Sequence, residues 1–576
     1  MGTVTHNEMN KTECSLAVMC VLALLAGIVG GLGAWAFRML IGLIHNALFL
    51  GQLSFVYDAN QHTAASPWGA GIILAPVVGG LAVAWLVKNF APEAKGHGVP
   101  EVMDAIHYNQ GLIRPRVAIV KSIASAISIG SGAAVGREGP IIQIGSAFGS
   151  MLGQFVRMPA RQRITLIAAG SGGGIAATFN APLGGVVFAI ELLLVSCSAI
   201  NILLVSIATV TATHISHLLL GTTPSFHIIQ LELPDFNLEH GWSLGLFAIL
   251  GCLMGLVSVL FIRGLYWAED QFDAMPGNYY TRHMLGTLLL GIMMYLMYSG
   301  YGHYYIQGVG YATIVDILIT ALTDPWFLCL LFVLKVFATW LSLGSGASGG
   351  VFSPVLFLGA TVGAAFGHVC MLLLPALTVG IPAFAIAGMA GGIGGTTGAV
   401  LTGIIMITEM TRDYNLMIPV IISVTTAYAV RKTLMRDSIY TLKLTRRGHI
   451  VPEGLQAALL SAENLADIMQ PISCIPISET IGNQESIWVT HDQGKIVNVH
   501  KAVSQLKDTV VEHSPENIAV FTPQTNLSEA IRSLQNKQIE VILVSKDPIN
   551  NQAGDIVGVI TADDIARHSS RWADFM

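Results

Sequence analysis

Apolar residues run continuously through most of the first three quarters of the chain instead of alternating with polar ones. One run extends from about Ser15 to Phe49, a second from about Trp68 to Phe90, and others recur as far as Tyr428. Runs of this length cross a bilayer as helices, whereas a membrane barrel would alternate. The first run is too long for the core of a signal peptide and has no obvious cleavage site, so it is read as a mature helix. After Tyr440 the pattern changes, and Arg446-Arg447-Gly448 closes the apolar region. In the mixed tail, the stretch from Asn526 predicts a capped amphipathic helix and Val541–Val544 a buried strand. Ile556–Thr561 predicts a second strand that turns into a helix near Asp564.

Composition narrows the class. Of 576 residues, 53% are hydrophobic and 11% charged, which excludes a large soluble enzyme. The 61 glycines predict close helix packing and helices that break where backbone groups face a ligand. Seven scattered cysteines without metal-ligand spacing read as small buried hydrophobes. A net charge of -6 spread over this length implies no nucleic-acid partner. Neither a nucleophile–base spacing, a zinc pattern nor a phosphate loop is present, so no enzyme, metal or required cofactor is expected.

The chain repeats itself. Ser131–Pro140 contains Gly136-Arg137-Glu138-Gly139-Pro140, and its outline returns at Ser345–Pro354 as Gly350-Val351-Phe352-Ser353-Pro354. At a shift of 214, Lys121 falls on Lys335, Gly136 on Gly350 and Gly145 on Gly359; at 218, Gly170 falls on Gly388 and Glu191 on Glu409. Gly96-x-Gly98 with Asp104 finds Gly308-x-Gly310 with Asp316. The expected organisation is a polar segment 1–14, a transmembrane domain 15–445 with halves of about 15–220 and 240–440, a linker 446–463 and a tail domain 464–571. Paired halves place a site at their interface near mid-membrane. The repeat by itself leaves open whether the halves run parallel or inverted.

Glycines ahead of a helix leave its first N–H groups unpaired, and the positive end of the helix dipole favours an anion there. Glu138 and Arg137 lie in such a run at membrane depth, where charge is functional by default. Lys121 is assigned a role in shaping the field, while Lys335 and Glu409 stay open between that role and satisfying helix ends.

Four elements, Gly136–Pro140, Gly350–Pro354, Gly96-His97-Gly98-Val99-Pro100 and Tyr440, resemble in order and spacing the CLC family of chloride channels and chloride/proton exchangers. The resemblance implies an all-α polytopic fold of two inverted homologous halves with broken helices, and a homodimer in the lipid bilayer with one anion pathway per subunit. It makes Glu138 the gating and proton-binding carboxylate. Amides of Arg137, Glu138 and Gly139 line an outer anion position, and those of Val351 and Phe352, with the Tyr440 hydroxyl, a central one. Without the other motifs, Tyr440 reads as an interfacial anchor.

Two departures bear on function. Where the family usually presents serine, this chain has His97, which either donates to the anion, with pH-sensitive conduction if it is protonated, or turns toward the vestibule. Where many exchangers place a further internal glutamate, just after the position of Glu191, this chain has Leu192, which relays no proton. A channel-like chloride transporter is therefore expected, with coupled chloride/proton exchange as the alternative. A carrier for another solute and a membrane sensor without transport rank below both. The tail resembles paired CBS domains of a cytoplasmic regulatory region, the first (about 464–512) degenerate and the second about 513–571. In that fold Thr561 and Asp564 hold an adenine nucleotide.

Overall fold

A computed structural model describes residues 13–194, 197–222, 226, 241–375, 377–449 and 451, with parts of 465–564. It divides into two units, residues 1–454 and 455–576. In the first, α1 (Leu16–His45) continues into a π-helical turn, Asn46–Leu50, followed by α2 (Ala75–Phe90), α3 (Val99–His107) and α4 (Pro115–Gly130). Next come α5 (Glu138–Phe155), α6 (Ala160–Phe179), α7 (Pro182–Leu192) and α8 (Ala199–Leu220). The series then recurs as α9 (Leu244–Ala274), α10 (Tyr279–Tyr301), α11 (Tyr311–Leu318), α12 (Pro325–Ser345) and α13 (Phe352–Leu373). It ends with α14 (Ile381–Thr397), α15 (Val400–Thr411) and α16 (Met417–Leu434), and α17 (Thr441–Arg446) follows.

Among the described residues, seven helical stretches are long and apolar enough to cross a membrane. The chain is an integral, multi-pass membrane protein. Its outward-facing side chains, such as Trp85, Leu260 and Phe337, are apolar, as lipid tails demand. The cysteine expectation fails in part for the same reason: Cys197, Cys252 and Cys329 are exposed, while Cys14 and Cys20 are half-buried and Cys370 is buried. An apolar solvent removes the need to bury a small hydrophobe.

The same helix pairs pack in both halves. Helix α5 lies on α6 as α13 lies on α14, and α1 on α8 as α9 on α16. Glycine at the crossing explains the approach. A methyl group at Gly145 would overlap the Gly170 carbonyl oxygen, and one at Gly359 the Gly388 carbonyl oxygen.

The halves also meet each other, through α2 with α10 and α7 with α15. At the second contact the carboxylates exchange. Glu191, on α7, accepts from the N–H of Leu401 (3.1 Å), the N–H of Thr402 (2.9 Å) and the Thr402 hydroxyl (2.8 Å) at the start of α15. Glu409, on α15, accepts from the N–H groups of Leu183 (3.1 Å) and Gly184 (2.7 Å) at the start of α7. Each carboxylate satisfies orphan donors of the opposite helix and sits at the positive end of its dipole. Glu191→Ala and Glu409→Ala are each expected to cost about 1.5–3 kcal/mol, the usual worth of bonds to a charged group. Thermal unfolding of the purified variants measures this, and unchanged midpoints for both would show that water replaces the caps.

In the second unit, β1 (Ser473–Pro476), β2 (Ile487–Asp492), β3 (Lys495–Ala502) and β4 (Val510–His513) form one sheet in that order. A second sheet holds β5 (Ile518–Phe521), β6 (Val541–Ser545) and β7 (Ile556–Thr561), with β5 parallel and β7 antiparallel to β6. Every residue of β6 is buried, matching the strand expected at Val541. The helices expected from Asn526 and after Thr561 lie outside the described residues, apart from Leu527 and Asp564.

Candidate functional site

Three loops, each opening a helix, are laced together where the halves meet. Gly136 and Gly350 exchange N–H···O bonds of 2.7 and 2.6 Å, so the duplicated motifs pair directly. The Gly96 N–H donates to Ala347 O (3.2 Å), and the Gly349 N–H donates back to Gly96 O (3.2 Å), bringing in the loop before α3. Ser348 adds side-chain ties, donating to Ala94 O (2.8 Å) and meeting the Ser125 hydroxyl at 2.9 Å. The N-termini of α3, α5 and α13 are thereby fixed around one point.

Glu138, the first residue of α5, is buried. Its Oε1 accepts from the Ser353 hydroxyl in the first turn of α13, and the backbone N–H groups of Glu138 and Ser353 also face the carboxylate. Oε2 has no partner. The Tyr311 hydroxyl lies 2.9 Å from Ser353 Oγ. Because the serine proton goes to the carboxylate, Tyr311 is the donor in that second bond. Thus the charge of the first repeat rests on the helix N-terminus of the second. Gly139 lets the chains approach: a methyl group there would overlap the His97 carbonyl oxygen.

Arg137 does not direct its guanidinium at this carboxylate. It donates to Thr178 O (3.2 Å) and lies over the rings of Tyr311 (5.2 Å) and Phe179 (5.9 Å). Val351, Phe352 and Tyr440 are all buried, and the Tyr440 ring is 6.0 Å from that of His97. His97 is 3% exposed. Its Nε2 is 3.3 Å from the Tyr266 hydroxyl, which donates to Ile439 O at 2.6 Å. Leu192 packs half-buried against the main core, and its neighbour Glu191 is occupied in capping α15.

The two buried lysines are anchors for backbone. Lys121 Nζ donates to Ala94 O (3.0 Å) and Gly96 O, and Lys335 Nζ donates to Ile306 O (2.9 Å) and Gly308 O (2.8 Å). Each holds the loop that opens the short helix of its own half, α3 or α11. Whatever Lys121 adds to the field, it also positions His97's loop.

In the tail, Thr561 and Asp564 bind each other. The Thr561 N–H and hydroxyl donate to Asp564 Oδ2 (2.9 and 2.7 Å), while Gln470 Nε2 donates to Oδ1 (2.6 Å).

Sequence reasoning quoted Ser353 within its motif without assigning it to Glu138, and it missed Tyr311 and Tyr266. For Ser353 a signal existed, since it stands beside Phe352 in the repeat of Gly136–Pro140. Tyr266 lies in the last third of the long helix α9, with no local cue to its partner.

Comparison with known proteins follows the same lines. A family model described as voltage gated chloride channel matches residues 79–432. The H(+)/Cl(-) exchange transporter ClcA of Vibrio campbellii is 36% identical over 389 residues, covering 66% of this chain and 80% of that protein. ClcA of Vibrio cholerae is 32% identical over 453 residues, covering 77% and 92%. A slow cyanobacterial Cl-/H+ antiporter superposes with a TM-score of 0.65 at 26% identity, over 76% of this chain and 99% of that one. A eukaryotic CLC transporter shares the fold at TM-score 0.64 and 21% identity, over 95% and 98%. The paired N-terminal motifs, the duplicated helix series and these matches agree: the chain belongs to the voltage-gated chloride channel (CLC) family, whose members are transporters and channels and not enzymes.

Proposed function

We propose that the protein moves chloride across the membrane along one amide-lined pathway in each subunit of a homodimer, with Glu138 as the gate. The observation that carries this reading is the seat of the Glu138 carboxylate. A buried carboxyl group of the chain itself lies on the first turn of α13, with the Ser353 hydroxyl as donor. Helix N-termini hold an anion without a full positive charge, which would bind too tightly for passage. Protonation or displacement of the carboxylate then vacates the place for chloride.

We read the transport as channel-like. Leu192 carries no proton, and Glu191 is held by three donors at the start of α15. The second reading is chloride/proton exchange, favoured by relatives named as exchange transporters. Reversal potentials of reconstituted protein under combined chloride and proton gradients separate the two. A value at the chloride equilibrium potential, unmoved by the proton gradient, is the expected result; a shift with the proton gradient selects exchange. Cation-dependent flux, or no flux, overturns both. In this reading the tail is a cytoplasmic CBS-type module, and an adenine nucleotide there has to open the contact between Thr561 and Asp564.

A further inference from the structure

We infer that Nδ1 of His97 is a proton-binding site filled together with the anion, and that Tyr266 sets this by fixing which ring nitrogen is bare. The inference rests on the anion-transport reading above and adds a second titratable group to it. A tyrosine hydroxyl has one proton. Tyr266 gives it to Ile439 O at 2.6 Å, an atom that can only accept, so in its 3.3 Å contact with His97 the donor is Nε2–H. The neutral ring then carries its lone pair on Nδ1, which is buried with no partner among the described residues. In that state the ring offers an anion no donor.

A proton on Nδ1 reverses this. It creates a donor and a positive charge in a buried site whose neighbours are helix N-termini and Tyr440, 6.0 Å away ring to ring. The charges facing the ring are Lys121 of α4, Lys443 of α17 and Arg447 just beyond it. Glu269 of α9 lies 3.8 Å from Lys443, and Glu101 of α3 lies 3.1 Å from Arg447; Glu138 stands at the start of α5 and Tyr266 on α9. Burial first, and then the basic groups Lys443, Lys121 and Arg447, oppose a second ring proton, and an anion beside Nδ1 offsets that opposition. Proton and anion therefore favour each other's binding, a reciprocal linkage. Tyr266 is a positioning residue, acting through the tautomer it imposes.

The test uses the full chain carrying Glu138→Gln, so that the gate no longer titrates. Chloride binding is measured by calorimetry from about pH 8 to about pH 5, in two buffers of different ionisation enthalpy. Affinity is expected to rise on acidification, approaching about tenfold per pH unit where one proton is taken up per chloride. Adding His97→Gln, which retains a donor for Tyr266, is expected to abolish both the slope and the proton uptake. Adding Tyr266→Phe instead frees the neutral ring to place its proton on Nδ1, which raises affinity at high pH and flattens the slope. A slope that survives His97→Gln, or a pH-independent affinity with His97 present, overturns the proposal. Absence of chloride binding at every pH, with or without the Glu138 change, overturns the anion-site reading itself.

Discussion

Glutamine in place of Glu138 is expected to hold anion flux at its acid plateau, whatever the pH. In the proposed mechanism the ionised carboxylate occupies the first turn of α13, bonded to Ser353, and chloride competes with it for like positions. Protonation removes the charge that the helix N-terminus attracts. Flux should rise as pH falls, by up to about tenfold per pH unit where one proton controls opening. The amide keeps the size of the side chain and has no charge to compete with chloride, so Glu138→Gln leaves the pathway permanently available. Chloride efflux from proteoliposomes at saturating chloride gives the readout, because there the linkage through His97 does not limit occupancy. A variant that stays fully gated by pH would remove Glu138 from the gating role. At low chloride a residual slope should remain, and it should disappear with His97→Gln.

What the sequence disclosed and what it withheld divide along a physical line. A helix N-terminus that exposes its amides is written locally, in the glycines before it and the proline just inside it, so Gly96–Pro100, Gly136–Pro140 and Gly350–Pro354 were legible without a structure. The repeat was legible because one packing solution used twice keeps its small residues in register. Partners across the fold were not. Nothing near Glu191 says that its carboxylate caps the start of α15 and not its own helix, and nothing near Lys121 names Ala94 and Gly96 as its acceptors. Those pairings show as symmetric only once both halves are seen: Lys121 and Lys335 brace equivalent loops, and Glu191 and Glu409 cap each other's helices. His97 drew notice as a departure from a pattern, yet its useful nitrogen depended on Tyr266, some 170 residues away and unmarked in an apolar helix. Arg163 taught the same lesson. It follows Arg157 and Arg161 closely in the sequence, yet it is buried and donates to Gln110 O at 3.1 and 2.6 Å.

Alanine at Gly145 or Gly359 is expected to damage the membrane domain severely. At each crossing the added carbon would meet a backbone carbonyl, that of Gly170 or Gly388, and no flexible side chain is present to move aside. Relief requires the helices to separate, which opens space along the rest of the contact. Overpacking a tight core costs about 1–3 kcal/mol, and a rigid backbone neighbour argues for the upper end or beyond. The damage should also reach function. Helix α5 carries Glu138 and α13 carries Ser353, each at its N-terminus, so displacing either helix changes the distance between the proposed gate and its seat. Thermal unfolding in detergent should show a large drop for Gly145→Ala and for Gly359→Ala, of similar size because the two crossings repeat one geometry. Gly300→Ala, in α10 with open space around the added carbon, is the control and should be neutral or slightly stabilising, since alanine limits the unfolded chain more than glycine does. Wild-type unfolding midpoints for both crossing variants would mean that the helices yield without loss, and that glycine there serves something other than close approach.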